Sequence, residues 1–207
     1  MSFNLKIPTA NGDKEITLKT GASVVFVGAN GSGKTRLSTL IEKTFALSAH
    51  RISAHRALSL NPEVPKINED AALRGLRTGY AEANSGINYR LGSRWSGNEA
   101  VSLLNDFNYV IQALFAEQSN TSLVSHKKSR NGDHSPAKPT KFEILIDIWQ
   151  RLLPHRRLHT SGDNIRASIA GSDQDYSASE LSDGERAIFY MLGQTLMAAQ
   201  DSLIIFD

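Results

Sequence analysis

Residues 22–40 constrain this chain more than any other stretch. The apolar, β-branched run Ala22-Ser-Val-Val-Phe-Val27 feeds a glycine-rich loop of Gly28, Ala29, Asn30, Gly31, Ser32, Gly33, Lys34 and Thr35. That loop feeds the amphipathic stretch Arg36-Leu-Ser-Thr-Leu40. It fits G-x-x-x-x-G-K-[ST] at Gly28, Gly33, Lys34 and Thr35. A polyphosphate carries several negative charges and must be held without crowding. Glycines lack a Cβ, so the backbone can curl and aim its N–H groups inward. A helix starting near Gly33 adds its positive dipole end. Lys34 is then placed to reach the β- and γ-phosphates and the Thr35 hydroxyl to ligate Mg²⁺. The four fixed positions match by chance in roughly 1% of chains of this length. The flanking strand and helix patterns are both present, which makes a plain flexible connector the weaker reading.

The 207 residues suffice for one large domain, or one domain carrying an insertion. With 23 basic and 21 acidic residues the net charge is +2, which by itself implies neither nucleic acid nor an anionic membrane. The absence of cysteine excludes disulfides and thiolate metal sites. No apolar run approaches the roughly 20 residues that span a bilayer. The N-terminus lacks a basic segment followed by an apolar core, so it does not read as a signal peptide. With an ATP-type site, the expected location is the cytoplasm.

Along the chain, Phe3, Leu5 and Ile7, then Ile16 and Leu18, alternate with polar residues around Asn11-Gly12. This predicts a β-hairpin ahead of a strand over 24–27. A helix over 33–46 should bury Leu37, Leu40, Ile41 and Phe45. A short strand over 51–54 follows, and a place for His55 and Arg56 beside the nucleotide is weighed against solvated loop residues, which spacing favours. Residues 59–97 read as short helices and loops, and 98–117 as an amphipathic helix. The basic, turn-rich stretch 125–141 reads as a mobile loop. Nucleic-acid contact through Lys127, Lys128, Arg130, Lys138 and Lys141 is the less favoured reading there, because no aromatic residue is interleaved to stack on bases. A helix over 142–153 and a strand over 165–169 complete this part, with a turn over 171–175.

Ser182 and Glu185 have capping-box spacing ahead of a helix whose apolar face reads Ile188, Met191, Leu192, Thr195, Leu196 and Ala199. The strand Ser202-Leu-Ile-Ile-Phe-Asp207 then ends in a carboxylate. Beside a phosphate loop, a carboxylate at the C-terminal end of a strand is suited to a second Mg²⁺ contact.

Phosphate loop, helical stretch, Leu181-Ser182-Asp183-Gly184-Glu185, helix, apolar strand and Asp207: in this order the chain resembles the ATP-binding-cassette ATPase superfamily. Residues 28–35 look like Walker A, 181–185 like the signature motif and 203–207 like Walker B. The loop style is similar to soluble SMC-like chromosome and DNA-repair ATPases and to the overcoming-lysogenisation-defect class of bacterial anti-phage ATPases. The resemblance implies ATP and Mg²⁺ as ligands, with residues 28–36, Arg36 included, at the nucleotide and Thr35 and Asp207 at the metal. It also implies a head-to-tail homodimer in which residues 181–185 reach the partner's nucleotide. ATP would then join the chains and hydrolysis release them, with DNA or an effector protein as further partner and no membrane. A non-catalytic nucleotide-gated module binding DNA or an effector is the alternative.

The pattern departs from the family in three ways. The signature lacks the commoner second glycine and glutamine, and Asp183 and Glu185 bring acid towards a phosphate. The family's glutamine loop has no clear counterpart, with Gln112 and Gln118 as candidates. The catalytic glutamate, dimer-contact loop and switch histidine, which follow Walker B in the family, are not in this sequence. The expectation is therefore a piece of a longer protein that binds Mg–ATP and turns it over slowly. A kinase leaves the signature-like segment unexplained, and a GTPase lacks an Asn-Lys-x-Asp segment. The expected fold is α/β, a P-loop NTPase (ABC-ATPase-like) mixed sheet with an N-terminal antiparallel edge. Its nucleotide-binding core, residues 1–56 and 158–207, is interrupted by a helical insertion over 57–157.

Overall fold

The computed structural model describes residues 1–53, 56–83, 86–172 and 174–207. The chain begins with a hairpin of β1 (Ser2–Thr9) and β2 (Gly12–Lys19), paired from Ser2↔Lys19 to Thr9↔Gly12. Its two-residue loop, Ala10 and Asn11, leads into Gly12 at φ 102°, a conformation that glycine adopts without steric cost. Alternation sends Leu5 and Ile7 to one face, over α1 (Lys34–Phe45). There Phe3 meets Phe45 edge to face at 5.2 Å. β3 (Ala49–Ile52) and β7 (Leu203–Phe206) form a parallel pair beneath the same helix, and Ile41, Ala49 and Leu203 close this smaller core.

The larger core is built by the residues between. α2 (Glu69–Thr78) is capped by Asn68, and the short α3 (Ile87–Tyr89) runs into a π-type turn, Arg90–Arg94. α4 (Phe107–Arg130), α5 (Lys141–Leu152) and α6 (Asp183–Met197) pack together around Phe107, Leu114, Phe142, Trp149 and Phe189. An antiparallel meander of β4 (Arg156–Thr160), β5 (Ile165–Ile169) and β6 (Asp175–Ser177) closes one side through Leu158, Ile165 and Ala167. Among the described residues, no helix is long and apolar enough to cross a membrane.

The architecture is mixed α/β, but among the described residues the strands fall into three small sheets rather than one mixed sheet. The expected strand over 24–27 does not form. β7 pairs with β3, and a cleft of about 730 Å³ lies between β7 and residues 22–26. With no ladder partner the run stays irregular, and Val25 and Val27 are 80% and 93% exposed. Helix α4 starts at Phe107, not near 98, because Leu104 is drawn into a bridge with Arg56. It continues through Arg130 into the expected loop, where Lys127, Lys128 and Arg130 suit the negative end of the helix dipole. Leu40 faces solvent, and Ser38, Thr39 and Glu42 are buried beside Ile41 instead. On α6 the buried face is Glu185, Phe189, Tyr190, Gly193, Gln194 and Met197, rotated from the expected one. Tyr190 and Gln194 turn inward because both hydrogen-bond the buried Asp106.

Candidate functional site

The glycine-rich loop sits at the start of α1, above the C-terminal ends of β3 and β7. Gly31 and Gly33 hold φ of 80° and 91°, the left-handed region. At Gly28 a Cβ would lie 2.6 Å from Ser32 Oγ, so a side chain there would force the Ser32 hydroxyl to turn away. A hydrogen bond from Ser32 N to the Ala29 carbonyl, 3.1 Å, tightens the turn. Gly33 is the N-cap of α1 and supplies no side-chain acceptor, so the first N–H groups of the helix lack a side-chain cap. Lys34 folds back and donates from Nζ to the Gly28 and Ala29 carbonyls, 2.9 Å each. Ala29, Asn30 and Arg36 are exposed around the loop.

Thr35 and Asp207 stand 172 positions apart in sequence and meet here. The Thr35 hydroxyl donates to Asp207 Oδ1 at 3.0 Å. Packing of α1 over β3 and β7 brings them together, with Asp207 held beside β3 by its N–H donating to the Ile52 carbonyl at 3.1 Å. The second oxygen of Asp207 accepts from Arg51 Nη1 at 2.8 Å, and Arg51 Nε donates to Glu42 Oε2 at 2.7 Å. Glu42 also pairs with Arg90 at 2.7 Å. Burial pulls the Arg90 guanidinium down to about 10, against the opposing pull of Glu42. Sequence periodicity misses this buried polar group, because Glu42 and Arg51 occupy positions that ordinarily read as solvated.

The signature-like segment lies on the other core. Leu181 is buried, and Ser182 caps α6 in a reciprocal box with Glu185: Ser182 N donates to Glu185 Oε2 at 2.8 Å, and Glu185 N donates to Ser182 Oγ. Arg156 Nε donates to Glu185 Oε1 at 2.6 Å. Burial raises the Glu185 carboxyl, but the Ser182 hydrogen bonds and the Arg156 charge outweigh it and hold it below the ordinary value. Asp183 accepts from Arg186 Nη2 at 2.6 Å. Both acids of the segment are thus paired with arginines. A Cβ on Gly184 would meet nothing within 4 Å, so packing within the chain does not require that glycine.

The remaining candidates lie elsewhere. Arg56 donates to the Ser53 carbonyl at 2.7 Å and lies over the Tyr190 ring, directed into the larger core. His55 is outside the described residues. Gln112 and Gln118 are on α4, where Gln112 donates to the Pro65 carbonyl at 2.8 Å. Compared with known proteins, the chain matches no family model, no curated protein and no solved structure.

Proposed function

We propose that this chain is the ATP-binding part of a P-loop ATPase of the ATP-binding-cassette kind, which associates head to tail on Mg–ATP. The observation that carries the reading is the meeting of Thr35 and Asp207 at 3.0 Å under a glycine loop whose lysine is Lys34. Three requirements of one phosphate site are met together, the last of them across 172 positions: curled backbone, a cation on a flexible stem, and paired hard oxygen donors. The donor set fits Mg²⁺, which takes one or two protein oxygens and completes its shell with water and phosphate. Among the described residues no group of three or more His, Cys, Asp or Glu could hold a metal. When bound, Mg²⁺ neutralises charge on the β- and γ-phosphates.

The chain's own residues do the rest. Lys34 exchanges the Gly28 and Ala29 carbonyls for phosphate oxygens, and the N–H groups at the start of α1, which lack a side-chain cap, donate to the anion. Asp207 and Thr35 orient the metal side. Ser182 and Gly184 are exposed at the start of α6, and in this reading that exposed turn meets a nucleotide held by a second copy. Pairing of Glu185 with Arg156 and of Asp183 with Arg186 offsets the acid that this segment brings to a phosphate. The open Cβ position of Gly184 suits close approach from outside the chain.

Light scattering with and without Mg–ATP tests the assembly. Mass should double with Mg–ATP in the wild type and stay monomeric in Lys34→Ala. Gly184→Ala should raise the stability of the isolated chain by about 0.5–1 kcal/mol, as for any unforced helical glycine, yet weaken the dimer. A wild type that stays monomeric at saturating nucleotide contradicts the head-to-tail reading.

A further inference from the structure

Arg51 is fully buried, and each edge of its guanidinium is committed. Nε donates to Glu42 of α1 and Nη1 to Asp207, while Nη2 donates to the Glu99 carbonyl. The plane lies over the Trp95 ring, with Cζ 4.0 Å from its centroid. Trp95 is itself buried, and its Nε1 has no hydrogen-bond partner among the described residues. Packing and cation–π attraction, which also comes from Arg94 at 5.0 Å, therefore hold the ring. The segment carrying Trp95 is tied to the phosphate side by two further pairs: Arg90 with Glu42 at 2.7 Å and Lys43 of α1 with Glu99 at 2.9 Å. Arg51 thus touches Asp207, α1 and residues 95–99 together.

We infer that Arg51 is a positioning residue: it fixes Asp207 towards Thr35 and makes the Trp95 segment respond to occupancy of the phosphate site. The inference rests on the nucleotide reading above. Asp207 divides its two oxygens between the Thr35 hydroxyl and Arg51. A cation placed beside Oδ1 draws on the same carboxylate charge that holds Nη1, so the Arg51 pairing with Asp207 weakens while that with Glu42 stays. The guanidinium then shifts relative to the Trp95 face, and the segment hung on the Glu99 carbonyl shifts with it. Arg51 touches neither phosphate nor metal in this scheme, and its effect runs through Asp207.

The chain has two tryptophans, so Trp149→Phe leaves Trp95 as the sole reporter. The full chain carrying that change is titrated with ATP plus Mg²⁺ and with ATP plus EDTA, and Trp95 emission is followed beside calorimetric binding. The expected result is a saturable emission change with Mg–ATP, with the midpoint of binding, and none with ATP in EDTA. Arg51→Lys keeps the charge but cannot bridge Glu42, Asp207 and Glu99 at once. It should lower the gain in ATP affinity conferred by Mg²⁺ by about tenfold or more, as loss of an outer partner of a metal ligand does, with ATP affinity in EDTA unchanged. Should Arg51→Lys fail to fold, the emission titration decides alone. Binding of Mg–ATP with silent Trp95 emission overturns the inference, as does an unchanged Mg²⁺ gain in a folded Arg51→Lys. No ATP binding in either condition removes the nucleotide reading itself, an outcome that calorimetry separates from the other two.

Discussion

At the scale of single residues, the chain stakes much of its specificity on polar groups inside the fold. Asp106 accepts from Tyr190 at 2.6 Å and from Gln194 at 2.8 Å, and it lies 3.5 Å from Arg94. Because the Gln194 amide nitrogen serves Asp106, its oxygen is left to accept, so His50 Nε2 carries the proton in their 2.6 Å bond. Burial first, and the Arg94 charge second, hold the His50 imidazole well below its ordinary value, with the Gln194 bond opposing them. The unfolded chain therefore takes up a proton near pH 6.5 that the folded chain refuses. Stability should be fully present above that pH and fall as pH drops below it towards the folded value, by up to about 1.4 kcal/mol per pH unit. Thermal unfolding between pH 7.5 and 5.5 checks this, and His50→Asn should flatten the slope. An equal slope in both proteins would assign the effect to other groups.

At the scale of elements, some features were legible because one local rule decided them. The hairpin follows from alternation around Asn11-Gly12, and the start of α6 from the Ser182–Glu185 box. The buried face of α6 was not legible, because periodicity counts apolar residues while Tyr190 and Gln194 are drawn inward by Asp106, 84 and 88 positions away. Gly193 on that face lets α4 approach: a Cβ there would lie 2.4 Å from Val110 Cγ1. Gly193→Ala should cost about 1–3 kcal/mol by overpacking. The double variant with Val110→Ala should be less destabilised than the sum of the two, in chemical denaturation. The run over 24–27 has strand composition, yet a strand needs a neighbour, and β7 stands across a cleft. Replacing Val25 and Val27 together by Thr should leave stability within about 0.5 kcal/mol, as for exposed positions. A loss of several kcal/mol would show that these side chains are buried after all.

At the scale of the whole molecule, two cores meet at the polar group around Arg51. The smaller holds the hairpin, α1 and the pair of β3 and β7, and the larger holds the helices and the meander. The glycine-rich loop and Asp207 were legible as separate motifs. The motif order also carries the expectation of Thr35 and Asp207 at one metal site, but the pairing of β7 with β3 was not legible, since no local pattern states which strand lies beside β3. The Thr35–Asp207 contact gives the account its centre, and a nucleotide titration tests it most directly. Calorimetry of the full chain with ATP in Mg²⁺ should show saturable binding of about one nucleotide per chain. Lys34→Ala should remove it, and Asp207→Asn should abolish the gain that Mg²⁺ confers. Binding that is equal in the wild type and Lys34→Ala, or absent from a folded wild type, would contradict the account.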